Sequence, residues 1–79
     1  MPKFYFHIRH GDVVKQDPEG SELASIEEAR QEAVLAAREL LAERLLRGQP
    51  VNDDVFEIAD EGGIVVDTVA FRSVLGSTP

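Results

Sequence analysis

Ser25-Ile26-Glu27-Glu28 opens a run that meets no Gly or Pro until Gly48. A Ser at an N-cap accepts a hydrogen bond from the amide three residues on. A Glu at that third position, here Glu28, reaches back to the cap amide. The pair predicts one helix from Ile26 to Arg47, roughly 33 Å long at 1.5 Å per residue. Gly48 suits the position just past a helix end, and Pro50 prevents the helix from resuming. Charge follows the helix dipole, with Glu27, Glu28 and Glu32 early and Arg44 and Arg47 late.

At about 100° per residue, Ile26, Ala29, Ala33, Ala37, Leu40 and Leu41 form one apolar stripe, widened by Val34 and Leu45. The small residues come first, so a sheet can approach closely there. Arg30 and Arg44 fall near the stripe; their stems can lie along apolar surface with the guanidinium in water. Leu35, Ala42 and Leu46 fall on the opposite side at spacings of seven and four, as a second contact seam would. Those three residues are the candidate self-association surface.

On both sides of the helix the period changes to two. Phe4, Phe6 and Ile8 alternate with Tyr5, His7 and Arg9 across Lys3–Arg9, which predicts a half-buried strand. His10-Gly11-Asp12 is a turn, Val13–Asp17 a shorter returning strand, and Pro18-Glu19-Gly20 its breaker. Leu23 stands close enough to the cap to staple it. Val51–Asp54 connects the helix to a strand at Val55–Ala59. Asp60-Glu61-Gly62-Gly63 predicts a hairpin built on a type I turn. Ile64–Phe71 carries apolar residues on both faces and reads as a central, doubly covered strand. Arg72–Leu75 adds a short helical turn, and residues 76–79 form a frayed tail. The order is β-β-α-β-β: an α+β domain over residues 1–75, with one antiparallel sheet of about four strands and a single long helix across one face. The strand order is not legible.

The chain has 79 residues and no Cys. A domain of this size has a thin core and commonly needs a disulfide, a metal or a second subunit to hold it. Without Cys, and with two His, the remaining staple is oligomerisation. A Cys-free composition suits a reducing compartment. No leader-like apolar segment follows Met1, and no apolar run reaches the roughly 20 residues that span a bilayer. The expected location is the cytoplasm, with no membrane contact.

Fifteen acidic against eight basic side chains give a net charge of −7. Nucleic-acid binding relies on clustered Lys and Arg, so it is disfavoured. Its best location is the outer side of the first hairpin, through Tyr5, His7, Arg9 and Lys15, of which Tyr5, His7 and Arg9 are the candidate ligand contacts on one strand face. Asp53, Asp54, Glu57, Asp60, Glu61 and Asp67 form a hairpin without basic residues, a candidate docking face for a protein with a basic surface. His7 and His10 read as solvated surface histidines. Asp12, Asp17 and Glu19 are explained by turn chemistry, since their spacing is not that of a calcium loop. No Gly-x-Ser-x-Gly or phosphate-cradling Gly loop is present. No catalytic residue, cofactor or metal is expected.

Residues 2–11, Pro-Lys-Phe-Tyr-Phe-His-Ile-Arg-His-Gly, are distinctive in combination with three later segments. These are Asp17-Pro-Glu-Gly-Ser-Glu-Leu, Ala29-Arg-Gln-Glu-Ala, and Phe56-Glu-Ile-Ala-Asp-Glu-Gly-Gly followed by Phe71. Together they resemble a family of short bacterial proteins, frequent in alphaproteobacteria and catalogued as a domain of unknown function. The resemblance covers nearly the whole chain. It implies a small stand-alone cytoplasmic domain and transfers no site residues. The expectation is a non-enzymatic interaction module, a homodimer formed through the Leu35 side of the helix or by strand addition at a sheet edge.

Overall fold

The computed structural model describes residues 1–50 and 53–75. The expected tail at 76–79 and the first half of the Val51–Asp54 connection lie outside the described residues. Strands β1 (Lys3–His10), β2 (Val13–Lys15) and β3 (Ser21–Glu22) precede helix α1 (Ile26–Leu46). Strands β4 (Val55–Ala59) and β5 (Val65–Ala70) follow it, and a 3-10 turn spans Phe71–Val74. All pairings are antiparallel, in the order β2-β1-β4-β5, with β3 also on β1. The sheet thus has five strands rather than about four. The additional one, Ser21–Glu22, is too short to show a period.

The helix begins as its cap dictates: Ser25 Oγ accepts from the Glu28 amide at 3.2 Å. It ends where Gly48 takes a φ of +70°, which a side chain would resist, and the Gln49 amide returns to the Arg44 carbonyl at 2.7 Å. Ala29, Ala33, Ala37 and Leu41 are buried along α1 against Phe4, Phe56, Ile58, Val69 and Phe71. The sheet supplies the bulk and the helix supplies alanines, so the two layers can approach closely. Fully burying a side chain such as Ile58 or Phe71 contributes about 1.5–3 kcal/mol. Phe71 carries the core past the last strand, its ring 4.9 Å from that of Phe56.

Two positions of the helical stripe differ from expectation. Ile26 and Leu45, the first and next-to-last residues of α1, are exposed. The final strand also differs. β5 is an edge strand, and Val65 at its start is exposed, as is Ile64 just before it. A register irregularity between Ile58 and Ala59 re-aims that end of the hairpin. A continuous apolar run reads alike at the centre and at the edge when a bulge interrupts the alternation. Among the described residues no helix is long and apolar enough to cross a membrane.

Candidate functional site

β2 and β3 occupy the same side of β1, pairing with Ile8–His10 and with Lys3–Phe4 respectively. Between them β1 has no strand partner on that side, and Asp17 fills the gap. Its Oδ2 accepts from the Phe6 amide at 3.1 Å, and its Oδ1 accepts from the amides of Glu19 and Gly20. The Asp17 amide donates to His7 Nδ1 at 3.0 Å. Burial pushes the Asp17 carboxyl upward, but the backbone amides of Phe6, Gly20 and Glu19 outweigh it and hold the group below the usual carboxylate value. Gly20 has a φ of +70° and packs against the Tyr5 ring. Asp17 is therefore more than a turn residue: it completes a sheet edge.

On the sheet face away from α1, Tyr5 stacks on His7 with centroids 6.2 Å apart. Arg9 Nε donates to Glu57 at 2.6 Å. All three candidate ligand contacts on β1 are thus engaged within the chain. His7 is half-buried rather than solvated.

The second histidine is exposed, as expected, yet it touches a buried carboxylate. His10 Nδ1 lies 2.5 Å from Asp54 Oδ1, and Arg44 donates to Asp54 Oδ2 at 2.9 Å. Asp54 is 4% exposed, so it does not belong to an exposed acidic face. Burial pushes its carboxyl up, but the hydrogen bonds and charges of His10 and Arg44 prevail and hold it below the usual value. The Arg44 guanidinium lies 5.3 Å from the Phe71 ring centre instead of in open water. One carboxylate thereby joins the end of β1, the C-terminal end of α1 and the start of β4.

Three more of the six hairpin acids are neutralised by arginines from distant segments. Asp53 pairs with Arg72, Glu57 with Arg9 and Asp67 with Arg30. Asp60 Oδ1 accepts from the amides of Gly62 and Ile64, completing the expected hairpin turn. Glu61 is exposed at its tip. The run without basic neighbours in sequence acquires them in space.

The free edge of β5 is occupied in the same way. The Phe71 amide donates to the Asp54 carbonyl on the β4 side. By alternation along the strand, Thr68 and Ala70 direct their backbone groups away from β4. The Thr68 amide donates to Asp67 Oδ1 at 2.8 Å, and its carbonyl accepts from Arg30 at 3.1 Å. The Ala70 carbonyl accepts from Ser73 Oγ at 2.6 Å. With three of these four outward groups taken, this edge is a poorer template for another strand.

The outer side of α1 is open as well. Leu35 is 51% and Leu46 87% exposed, and Ala42 between them is exposed. A groove of about 380 Å³ runs along this flank, lined by Arg30, Gln31, Val34, Leu35 and Arg38. The three seam residues expected from spacing therefore share one exposed face, and the groove was legible only once the fold had set which flank stays uncovered. Among the described residues no three His, Cys, Asp or Glu side chains gather into a metal-ligand cluster.

No curated protein and no solved structure matches the chain. A family profile, that of domain of unknown function DUF6894, matches residues 3–72, from the first residue of β1 to the turn after β5. Across that span the chain belongs to the DUF6894 family, a domain of unknown function.

Proposed function

We propose that this domain is a non-enzymatic protein-interaction module that self-associates through the outer side of α1. One observation carries the reading: Leu35, Ala42 and Leu46 lie exposed on one face of a 21-residue helix whose other face is buried against the sheet. The alternatives within the fold are less available. The outward groups of Thr68 on β5 and of Phe6 on β1 already have acceptors or donors, which disfavours strand addition there. Arg9 is held by Glu57, which weakens the outer side of the first hairpin as a nucleic-acid surface. Four of the six hairpin acids are paired with Arg or His, which reduces the acidic face as a dock for a basic protein. A thin core in a small chain adds a thermodynamic reason to bury the helix further. The Cys-free composition supports the cytoplasm as its compartment.

Sedimentation equilibrium from about 1 to 200 μM tests this, that window being the one for a modest interface. The wild-type chain is expected to dimerise within that range, and Leu35→Glu to remain monomeric with an unchanged circular dichroism spectrum. A wild-type monomer at the highest concentration would overturn the reading.

A further inference from the structure

The groove on α1 is cationic as well as apolar, and one of its two cations lacks a counter-charge. Arg30 holds Asp67 and the Thr68 carbonyl, which sets the groove on the side of α1 nearest β5. Arg38 makes no ion pair among the described residues. Its neighbours three and four positions away on α1 are Val34, Leu35, Leu41 and Ala42, so no carboxylate of the same helix faces it. At about 100° per residue, Glu28, Glu32, Glu39 and Glu43 lie beyond Leu35 on the opposite flank. Glu27 shares the flank of Arg38 but stands roughly 16 Å away along the axis. The seat therefore suits an occupant that brings an exposed apolar side chain and an unpaired carboxylate close together.

The tip of the β4–β5 hairpin carries both. Glu61, Gly62, Gly63, Ile64 and Val65 are all exposed, Ile64 at 65% and Val65 at 47%. The Asp60 carboxylate is taken up by the turn, whereas Glu61 makes no ion pair among the described residues. Gly62 and Gly63 have no side chains to hold the tip away from an approaching surface. We infer that the hairpin tip of one copy seats in the α1 groove of another, with Ile64 against Val34 and Leu35 and the Glu61 carboxylate on the Arg38 guanidinium. The assignment rests on the self-association reading above and adds to it the surface that α1 receives.

The two surfaces match in spacing and in charge. Leu35 and Arg38 are three positions apart across one turn of helix. Glu61 and Ile64 are three positions apart in a turn closed by the bonds from the Gly63 amide to the Asp60 carbonyl and from the Asp60 amide to the Ile64 carbonyl. Because the contact joins two different patches, it sets Glu61 against Arg38 and never Arg38 against its own counterpart. Groove and tip also flank the same edge of the domain, the one formed by β5. Two copies related by a two-fold axis thus exchange tips, which gives two such contacts and closes the assembly at a dimer.

A contact between unlike patches predicts complementation. Leu35→Glu and Ile64→Glu each change an exposed position and put a carboxylate into the apolar seat. Each is expected to weaken the dimer about ten-fold or more in sedimentation equilibrium, with an unchanged circular dichroism spectrum. Each homodimer then loses both contacts, whereas a mixed pair keeps one wild-type tip in one wild-type groove. An equimolar mixture is therefore expected to associate more tightly than either variant alone. If Ile64→Glu dimerises like the wild type while Leu35→Glu does not, α1 receives some other surface; that overturns this inference and leaves self-association intact. A mixture that associates no better than its components also overturns it. A wild-type monomer removes both readings. As an independent measurement, Arg38→Glu and Glu61→Arg should each weaken the dimer about five-fold, and the chain carrying both should recover it. Failure to recover would refute the pairing of Glu61 with Arg38.

Discussion

Removing the Asp54 carboxylate should be among the most damaging single changes away from the apolar core. Asp54→Ala deletes at least two hydrogen bonds to charged or chargeable groups, among them those from Arg44 and His10. Such bonds are worth about 1.5–3 kcal/mol each when the groups are shielded from water. His10 keeps 67% of its side-chain exposure, so its bond counts for little; Arg44 keeps only 22%, so its guanidinium is left substantially buried without that carboxylate. Breaking a buried pair from one side costs about 3–5 kcal/mol, and the partial exposure places this case at the lower end, about 3 kcal/mol. For a domain of this length that lowers the melting temperature by roughly 12–24 °C. Urea unfolding at neutral pH measures the free energy directly, and Asp54→Asn, which keeps an acceptor oxygen, should lose less than the alanine variant.

The same carboxylate has a pH signature. Its pKa is depressed in the folded state, so its contribution is complete above the unfolded value of about 3.9 and fades as pH falls through the folded value. The gap in stability between wild type and Asp54→Ala should therefore be full at pH 6–7 and close below about pH 4. Asp17, shifted in the same direction, gives both proteins an acid limb, so the informative quantity is the difference between the two curves. A loss under about 1 kcal/mol at neutral pH, or a gap that stays constant down to pH 3, would refute the assignment of Asp54 as the junction of β1, α1 and β4.

Gly20→Ala should cost about 2 kcal/mol or more in urea unfolding, because the residue has a φ of +70° and an added Cβ would stand 2.9 Å from the Tyr5 ring and 3.0 Å from the Phe4 carbonyl; a neutral effect would mean the Asp17–Gly20 loop moves freely. Ala33→Leu should cost about 1–3 kcal/mol by forcing α1 off the sheet, since Ala33 has no exposed surface, and an unchanged thermal midpoint would contradict the close approach of the two layers. Asp67→Ala should change stability by under about 1 kcal/mol, yet it releases the Thr68 amide at the edge of β5; prolonged incubation followed by thioflavin fluorescence should reveal β-rich aggregates that the wild type does not form.

Local chemistry made much of this molecule legible from its residues. The Ser25 cap, Gly48 with Pro50, the alternation in Lys3–Arg9 and the Asp60–Gly63 turn each act within a few positions, and the observed elements begin and end there within a residue or so. The alanine stripe on α1 was equally readable, because burial on a helix repeats at a period that the chain itself displays.

The charged residues were not readable in this way. Asp54 looked like one acid among six, and only the meeting of three elements turns it into a buried anchor for Arg44 and His10. Asp17 looked like a turn residue until β2 and β3 left a gap on one side of β1. The position of β5 at the edge, and the occupation of that edge by Arg30, Asp67 and Ser73, required the strand order. Capping, turns and periodicity are set by neighbours along the chain, so composition and spacing suffice to specify them. Which opposite charges meet, and which apolar flank stays in water, depends on contacts between residues 10 to 48 positions apart on different elements, and those come into being only when the sheet and helix close on each other.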